Sequence, residues 1–374
     1  MDFFTISDLK QQYQQGLTSQ GFLDKAYNLI QKDSQEPKPS YTFISLTQDL
    51  AYQQASQIKD FSLPLAGIPV AIKDNIHIKG QKTTCGSLML SSYQAIFDAT
   101  VVEKLKEAGA LLIGKTNMDE FSIGFSGANS YFKSTLSPIH KDYSAGGSSS
   151  GSALSVAKGF TPIALGSDTG GGVRIPAAFC GVVGFKPSYG RISRYGLVAY
   201  TSSLDHIGVF SSCIQDAALV FLVLAGNDKK DGTSLQENPS FSLENIKKPC
   251  HNFIVGIPQE YFENLDPEIK KALDHVLDLL QSLGIQTKTL SLPHLNYAAK
   301  AYTILSSAEA SSNLAKLDGI RYGIQEKSSV LTEIYTQSRG KGLGEEVIQQ
   351  ILLGTKMLSQ SCYQSHYVTA QKTR

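Results

Sequence analysis

The stretch "ALGSDTGGGVRIP", residues 164–176, decides how this chain is read. An apolar run enters it, Ser167 and Asp168 follow, and three consecutive glycines, Gly170, Gly171 and Gly172, lead to Arg174. Glycines placed directly after a buried-strand pattern let backbone approach a ligand, because no Cβ stands in the way. In that conformation the amides of Thr169, Gly170 and Gly171 can face a developing oxyanion.

Working outward, "AGGSSSGSALSVAKG" (145–159) places glycines and serines at the start of a helix. Alone it reads equally as a flexible turn or as a backbone anion cradle. Further upstream, "GIPVAIKDN" (67–75) carries Ile68, Val70 and Ile72 in a short apolar run that ends at Lys73. Such a lysine either snorkels to the surface or is desolvated, and desolvation favours its neutral, basic form. From residue 98 the spacing predicts a helix through 108, capped by Asp98 or Thr100, with Val101, Val102, Leu105 and Ala108 on one face. Gly109 is placed to stop it, and "ALLIG" reads as the next strand. Strand, helix, strand in this order predicts an α/β fold: one large domain with a mixed, mostly parallel sheet covered by helices on both faces.

The rest of the chain supports that class. Residues 6–31 read as a helix or helix pair, with Gly16 and Gly21 marking a turn. A short strand follows the two prolines of 33–46, and 47–58 reads as a helix. "CGVVGFKPSYGRIS" (180–193) is a further glycine-punctuated buried segment, and 227–239 is a surface loop. Strands are expected in 252–258 and 285–293, with a strong helix at 266–284 between them; 297–336 and 344–370 read as mostly helical.

Composition narrows the function classes. Hydrophobic residues make up 41% of the chain, enough for a large core, and 34 basic against 33 acidic residues leave a net charge of +1. That balance excludes broad electrostatic capture of nucleic acid or an anionic membrane. The five cysteines, Cys85, Cys180, Cys213, Cys250 and Cys362, show neither C-x-x-C pairing nor zinc spacing and read as reduced thiols. The opening "MDFFTISDLKQQYQQG" lacks a signal-peptide pattern, and no apolar run approaches a membrane span, so a cytoplasmic protein is expected. His77, His140 and His206 form no triad or metal spacing and read as structural; no G-x-S-x-G elbow is present.

Together, "GIPVAIKDN" (67–75), "AGGSSSGSA" (145–153) and "GSDTGGGVRIPAAFCGVVGFKPSYGRIS" (166–193) resemble, in order, the motifs of the amidase signature family, and "DATVVEKLKEAGALLIGKTNMDEF" (98–121) fits the same pattern. Within the family, "SSLDHIGVFSSCIQDAALV" (202–220) and "SSAEASSNLAKLDGIRYG" (306–323) are similar to the A subunits of tRNA-dependent amidotransferases. The resemblance covers nearly the whole chain and is densest from about 64 to 210. It implies a Ser–cis-Ser–Lys triad, with Lys73 as base, Ser148 as bridging serine after a cis Gly147–Ser148 bond, and the amides of Thr169, Gly170 and Gly171 as oxyanion hole. The family's nucleophile position falls on Gly172, at the family's spacing of 24 residues from Ser148. Glycine carries no side-chain nucleophile, so the standard acyl-enzyme cannot form there. Ser149, Ser150 and Ser167 offer hydroxyls, each at another place.

Two further departures accompany it. The family is expected to hold the carboxylate of glutamine with an arginine in the helix at 344–355, where Gln349 and Gln350 stand, and a neutral amide cannot make that charge-assisted fork. The family pattern also continues past "YVTAQKTR", so residues 1–374 correspond to an amidase signature domain incomplete at its C-terminus, with part of its sheet expected to be uncovered. No cofactor or metal is implied for this chain. ATP and magnesium would be used by a partner B subunit on charged tRNA, a small C subunit would wrap the A subunit, and glutamine would be the small-molecule substrate. Three readings stand: a glutamine-hydrolysing A subunit, an amidase-fold binding or assembly protein or decayed copy, and a stand-alone amidase of another substrate.

Overall fold

The buried run at 67–75 forms a central strand. The computed structural model describes residues 4–240, 242–246, 248 and 253–374. Strands β1 (Phe43–Leu46), β2 (Pro69–Lys73), β3 (Leu111–Thr116), β4 (Ile163–Asp168), β5 (Val183–Phe185) and β6 (His206–Ser211) make one sheet in the order β1-β3-β2-β4-β6-β5. β3, β2 and β4 run parallel; β1 is antiparallel to β3, and β6 to both β4 and β5. Four of the six strands therefore point one way, as the mixed, mostly parallel expectation requires. Every residue of β2, β3 and β4 is buried, which is why these strands read as continuous apolar runs rather than alternating ones.

Seven helices of the same region are α1 (Ile6–Gln14), α2 (Ser19–Ser34), α3 (Gln48–Gln57), α4 (Thr100–Glu107), α5 (Ser150–Ala157), α6 (Arg174–Cys180) and α7 (Ile214–Leu224). The connection β2–α4–β3 moves one way along the sheet, and β3–α5–β4 moves the other. Right-handed crossovers then put α4 and α5 on opposite faces. The core agrees: Ala71, Ala164 and Phe210 pack with Ala153, Leu154 and Ala157 of α5 and Ala177 of α6, whereas α7 packs with α4. Because the connections after β2 and β4 leave in opposite directions, a crevice opens at the carboxyl ends of these neighbouring strands, the usual ligand position in such sheets. Lys73 and Asp168 end them.

α5 is buried at all eight positions. Its small residues permit this: a Cβ on Gly151 would run into the Thr42 carbonyl and stand 2.5 Å from the Asn117 amide. Ser152 ties the helix to the sheet by donating to the Leu165 carbonyl at 2.8 Å.

Several local expectations need correction. Gly16, at φ +103°, does separate α1 from α2, but Gly21 lies inside α2, whose N-cap is Thr18 accepting from the Gly21 amide at 3.0 Å. Neither Asp98 nor Thr100 caps α4; its N-cap is Ala99, with no side-chain bond, while Asp98 pairs with Lys106 and Thr100 donates to Asp228. The segment 183–185 is half-buried, since β5 ends the sheet. Residues 317–330 are irregular rather than helical, and helix returns at Leu331–Gly342 and Glu345–Met357.

The chain divides into two compact units by its internal contacts, residues 1–240 with 306–356, and 241–305 with 357–374. In the second, strands Ile254–Pro258 and Gln286–Leu290 pair in parallel, joined through the helix Pro267–Ser282, which Asp266 caps by accepting from the Glu268 amide at 2.8 Å. In the first, an open groove of about 860 Å³ runs along the edge strand β1, lined by Tyr27, Phe43, Tyr52 and Phe160. Cys250 and the first residue of the strand expected at 252–258 lie outside the described residues; the other four cysteines are unpaired by disulfides. No helix among the described residues is long and apolar enough to cross a membrane.

Candidate active site

Lys73 closes β2 with no exposed surface. Its Nζ lies 2.8 Å from Ser148 Oγ and 2.9 Å from Ser167 Oγ. The desolvated reading is the one that holds, and the snorkelling one does not. Burial pushes the Lys73 pKa down to about 7, against the opposing pull of Asp119, Asp168 and Asp205. Neutral lysine is a base, so Nζ can take a proton from a bonded hydroxyl near neutral pH.

Ser148 stands at the turn into α5, and the Gly147–Ser148 peptide bond is cis, as expected. A Cβ built on Gly172 would point at this pair, 2.6 Å from Ser148 Oγ and 2.6 Å from the Ser167 carbonyl oxygen. The register inferred from the sequence thus places base, bridging hydroxyl and position 172 together, with hydrogen in place of a side chain. Both contacts are tighter than a real Cβ tolerates, so the loop has settled onto the relay.

The glycine loop is held by Asp168. Its carboxylate accepts from the amides of Gly171 at 2.9 Å, Val173 at 3.1 Å and Arg174 at 3.3 Å, and is gripped by the Arg174 guanidinium through Nε at 3.0 Å and Nη2 at 2.9 Å. Burial alone would raise this carboxyl, but Arg174 and the amides outweigh it and leave its pKa below the usual value. The same bond bears on one expectation: the Gly171 amide is taken up by Asp168. Thr169 is anchored in turn, its hydroxyl donating to Asp205 Oδ1 at 2.5 Å. Asp205 is pushed up to about 6 by burial, with Thr169 and the amides of Thr201 and Tyr200 opposing.

Ser149 and Ser167 are committed, whereas the buried Ser150 Oγ has no hydrogen-bond partner among the described residues. Ser149 Oγ donates to the Ser167 carbonyl at 3.0 Å and accepts from the Ser167 amide at 3.1 Å. Ser167 Oγ receives Asn75 Nδ2 at 2.9 Å as well as Lys73. Ser150 opens α5, with a Cβ on Gly127 standing 2.9 Å from its own Cβ. Of the two glutamines, Gln349 points outward to Glu345, whereas Gln350 Nε2 donates to the Tyr200 hydroxyl at 3.0 Å. Tyr200 gives its amide to Asp205 at 2.9 Å, so Gln350 connects to the Thr169 loop through two residues. Among the histidines, His77 is enclosed by Tyr93 and Phe97, His140 is exposed beside Tyr143, and His206 sets Nδ1 3.2 Å from the Asp168 carbonyl.

Sequence reasoning missed Asn75, Ser122, Asp205 and Tyr200. Asn75 Nδ2 bonds Ser122 Oγ at 3.0 Å as well as Ser167, bracing the hydroxyl that Lys73 shares. Its position two residues beyond Lys73 was the available signal. Asp205 and Tyr200 lie on a later loop and carried none.

The model of a family described as Amidase matches residues 28–374. The A subunit of glutamyl-tRNA(Gln) amidotransferase from Carboxydothermus hydrogenoformans is 47% identical over 348 residues, 91% of this chain and 71% of that protein. The protein of the same name in Methylacidiphilum infernorum is 47% identical over 357 residues, 94% and 72%. The crystal structure of the glutamyl-tRNA(Gln) amidotransferase A subunit from Thermotoga maritima superposes with a TM-score of 0.74 at 36% identity, covering 96% of this chain and 74% of that one.

Proposed function

The chain belongs to the amidase family, and from that premise we propose that it serves as the A-type subunit of a tRNA-dependent amidotransferase. In that role it takes up glutamine and directs ammonia to a B subunit, which converts Glu-tRNA(Gln) to Gln-tRNA(Gln) with ATP and magnesium; a C subunit completes the assembly. The observation that carries the reading is the Lys73–Ser148 contact of 2.8 Å aimed at position 172, beside a braced glycine loop. Gly172 removes the covalent step at that position, so whatever hydrolysis occurs does not pass through an acyl group on residue 172.

The test is reconstitution with B and C subunits of a relative, with glutamine deamidation and amide transfer to tRNA followed for the wild type and G172S. Assembly and glutamine binding by both, with turnover raised in G172S, supports the proposal. Failure to assemble or to bind glutamine overturns it. Gly172 also favours a second reading, an assembly protein that keeps the fold; stable assembly with silence in both forms selects that reading.

A further inference from the structure

We propose that Ser148 is itself the nucleophile of this site, working with Lys73 as a serine–lysine dyad on small carboxamides and esters. The proposal rests on the amidase-type reading of the site. Ser148 Oγ is 2.8 Å from Lys73 Nζ, and among the described residues it has no other hydrogen-bond partner. It is also a nearest atom to the missing side chain, 2.6 Å from where a Cβ on residue 172 would stand. A serine at 172 would set its Cβ against Ser148 Oγ; with glycine there, no side chain of residue 172 stands between Ser148 Oγ and the Thr169–Gly172 loop.

The competing hydroxyls are less suited. Ser149 exchanges hydrogen bonds with the Ser167 backbone in both directions. Ser167 Oγ accepts from two nitrogens, Lys73 Nζ and Asn75 Nδ2, which occupies its lone pairs. Ser148 alone combines contact with the base and proximity to the emptied position.

The step balances as follows. As Ser148 Oγ bonds to the carbonyl carbon, its proton passes to neutral Lys73 and the carbonyl π pair moves to oxygen, facing the amides of Thr169 and Gly170. Collapse breaks the carbon–nitrogen or carbon–oxygen bond, and the leaving group departs with the proton from Lys73. Water then bonds to the acyl carbon, gives a proton to Lys73, and Ser148 leaves and recovers it. Complete burial of Lys73 keeps a neutral fraction available at pH 7.

p-Nitrophenyl acetate tests this on the full chain, by nitrophenolate release, intact mass and peptide mapping. One acetyl group on Ser148 is expected. S148A lowers the acylation rate on the order of 100-fold or more, and K73M by ~10²–10⁴-fold, as loss of a positioned base does. S148C keeps the label, now on sulfur, and covers the case in which S148A fails to fold. G172S moves the label to residue 172. Acylation that persists in S148A, or that maps to Ser149, Ser167 or a lysine, overturns the proposal, as does the absence of acylation. Glutamine binding in the B and C assembly is read separately by thermal shift: binding without acylation sinks the dyad alone, whereas loss of binding sinks the amidotransferase reading.

Discussion

Replacing Lys73 by methionine exposes the energetic consequence of burying a base under a sheet. The lysine is fully buried and its pKa is pushed down to about 7 by desolvation. In the unfolded chain it titrates near ~10.4. Between these values the unfolded state binds more protons than the folded one, so stability rises with pH; the penalty is fully developed below about pH 7 and gone above ~10.4. Integrating over two pH units, from 7 to 9, the wild type should gain about 2 kcal/mol that K73M cannot. At pH 7 the lysine costs about 4 kcal/mol against an uncharged side chain. K73M also forfeits the contacts with Ser148 and Ser167, about 1 kcal/mol each. K73M should therefore be more stable at pH 7 by roughly 2 kcal/mol, the difference between those terms, and the two proteins should converge near pH 9. Urea unfolding of both at each pH measures this, and the other titrating groups, Glu120 and Asp205 included, largely cancel in the comparison. Parallel pH profiles, or a K73M less stable at pH 7, would refute the reasoning and leave Lys73 charged in the native state.

G172S puts a Cβ 2.6 Å from Ser148 Oγ and 2.6 Å from the Ser167 carbonyl oxygen, so the loop or these groups must shift. It should lower stability by ~1–3 kcal/mol, the usual cost of overpacking, yet raise glutamine hydrolysis in the assembled complex by ~10² or more as a nucleophile returns to position 172. A folded G172S complex that turns over glutamine but gains less than about tenfold would place the remaining defect at Gln350, and G172S/Q350R should then recover it. Glu120, held by Ser87 and the Gly344 amide, is pushed up to about 7 by burial. An acid raised this way loses stability as pH climbs from ~4.3 to 7, so E120Q should remove a fall of roughly 2–3 kcal/mol between pH 5 and 8, measured by urea unfolding. G151A forces a methyl group into the Thr42 carbonyl and the Asn117 amide beneath the sheet; a loss above ~3 kcal/mol is expected in thermal or urea melts, and a change under about 1 kcal/mol would show that α5 sits more loosely than described.

Much of this protein was legible in one dimension. The apolar runs in 67–75 and 110–114, and the one that enters the stretch at 164, identified β2, β3 and β4, because strands covered on both faces need no alternation. The ordered motifs placed Lys73, Ser148 and position 172 in one site, since each motif falls at or just beyond the end of a central strand or at the start of a helix. Gly172 was readable as an absence for the same reason. The strand at 206–211 was not, nor were the roles of Asn75, Asp205 and Tyr200: these depend on antiparallel pairing and loop contacts between residues far apart in sequence. Folding alone decided that Lys73 is desolvated, because a lysine after a strand reads identically whether its chain end meets water or the hydroxyls of Ser148 and Ser167. It likewise decided that the Gly171 amide serves Asp168, since a carboxylate near glycines does not reveal which N–H groups it will take.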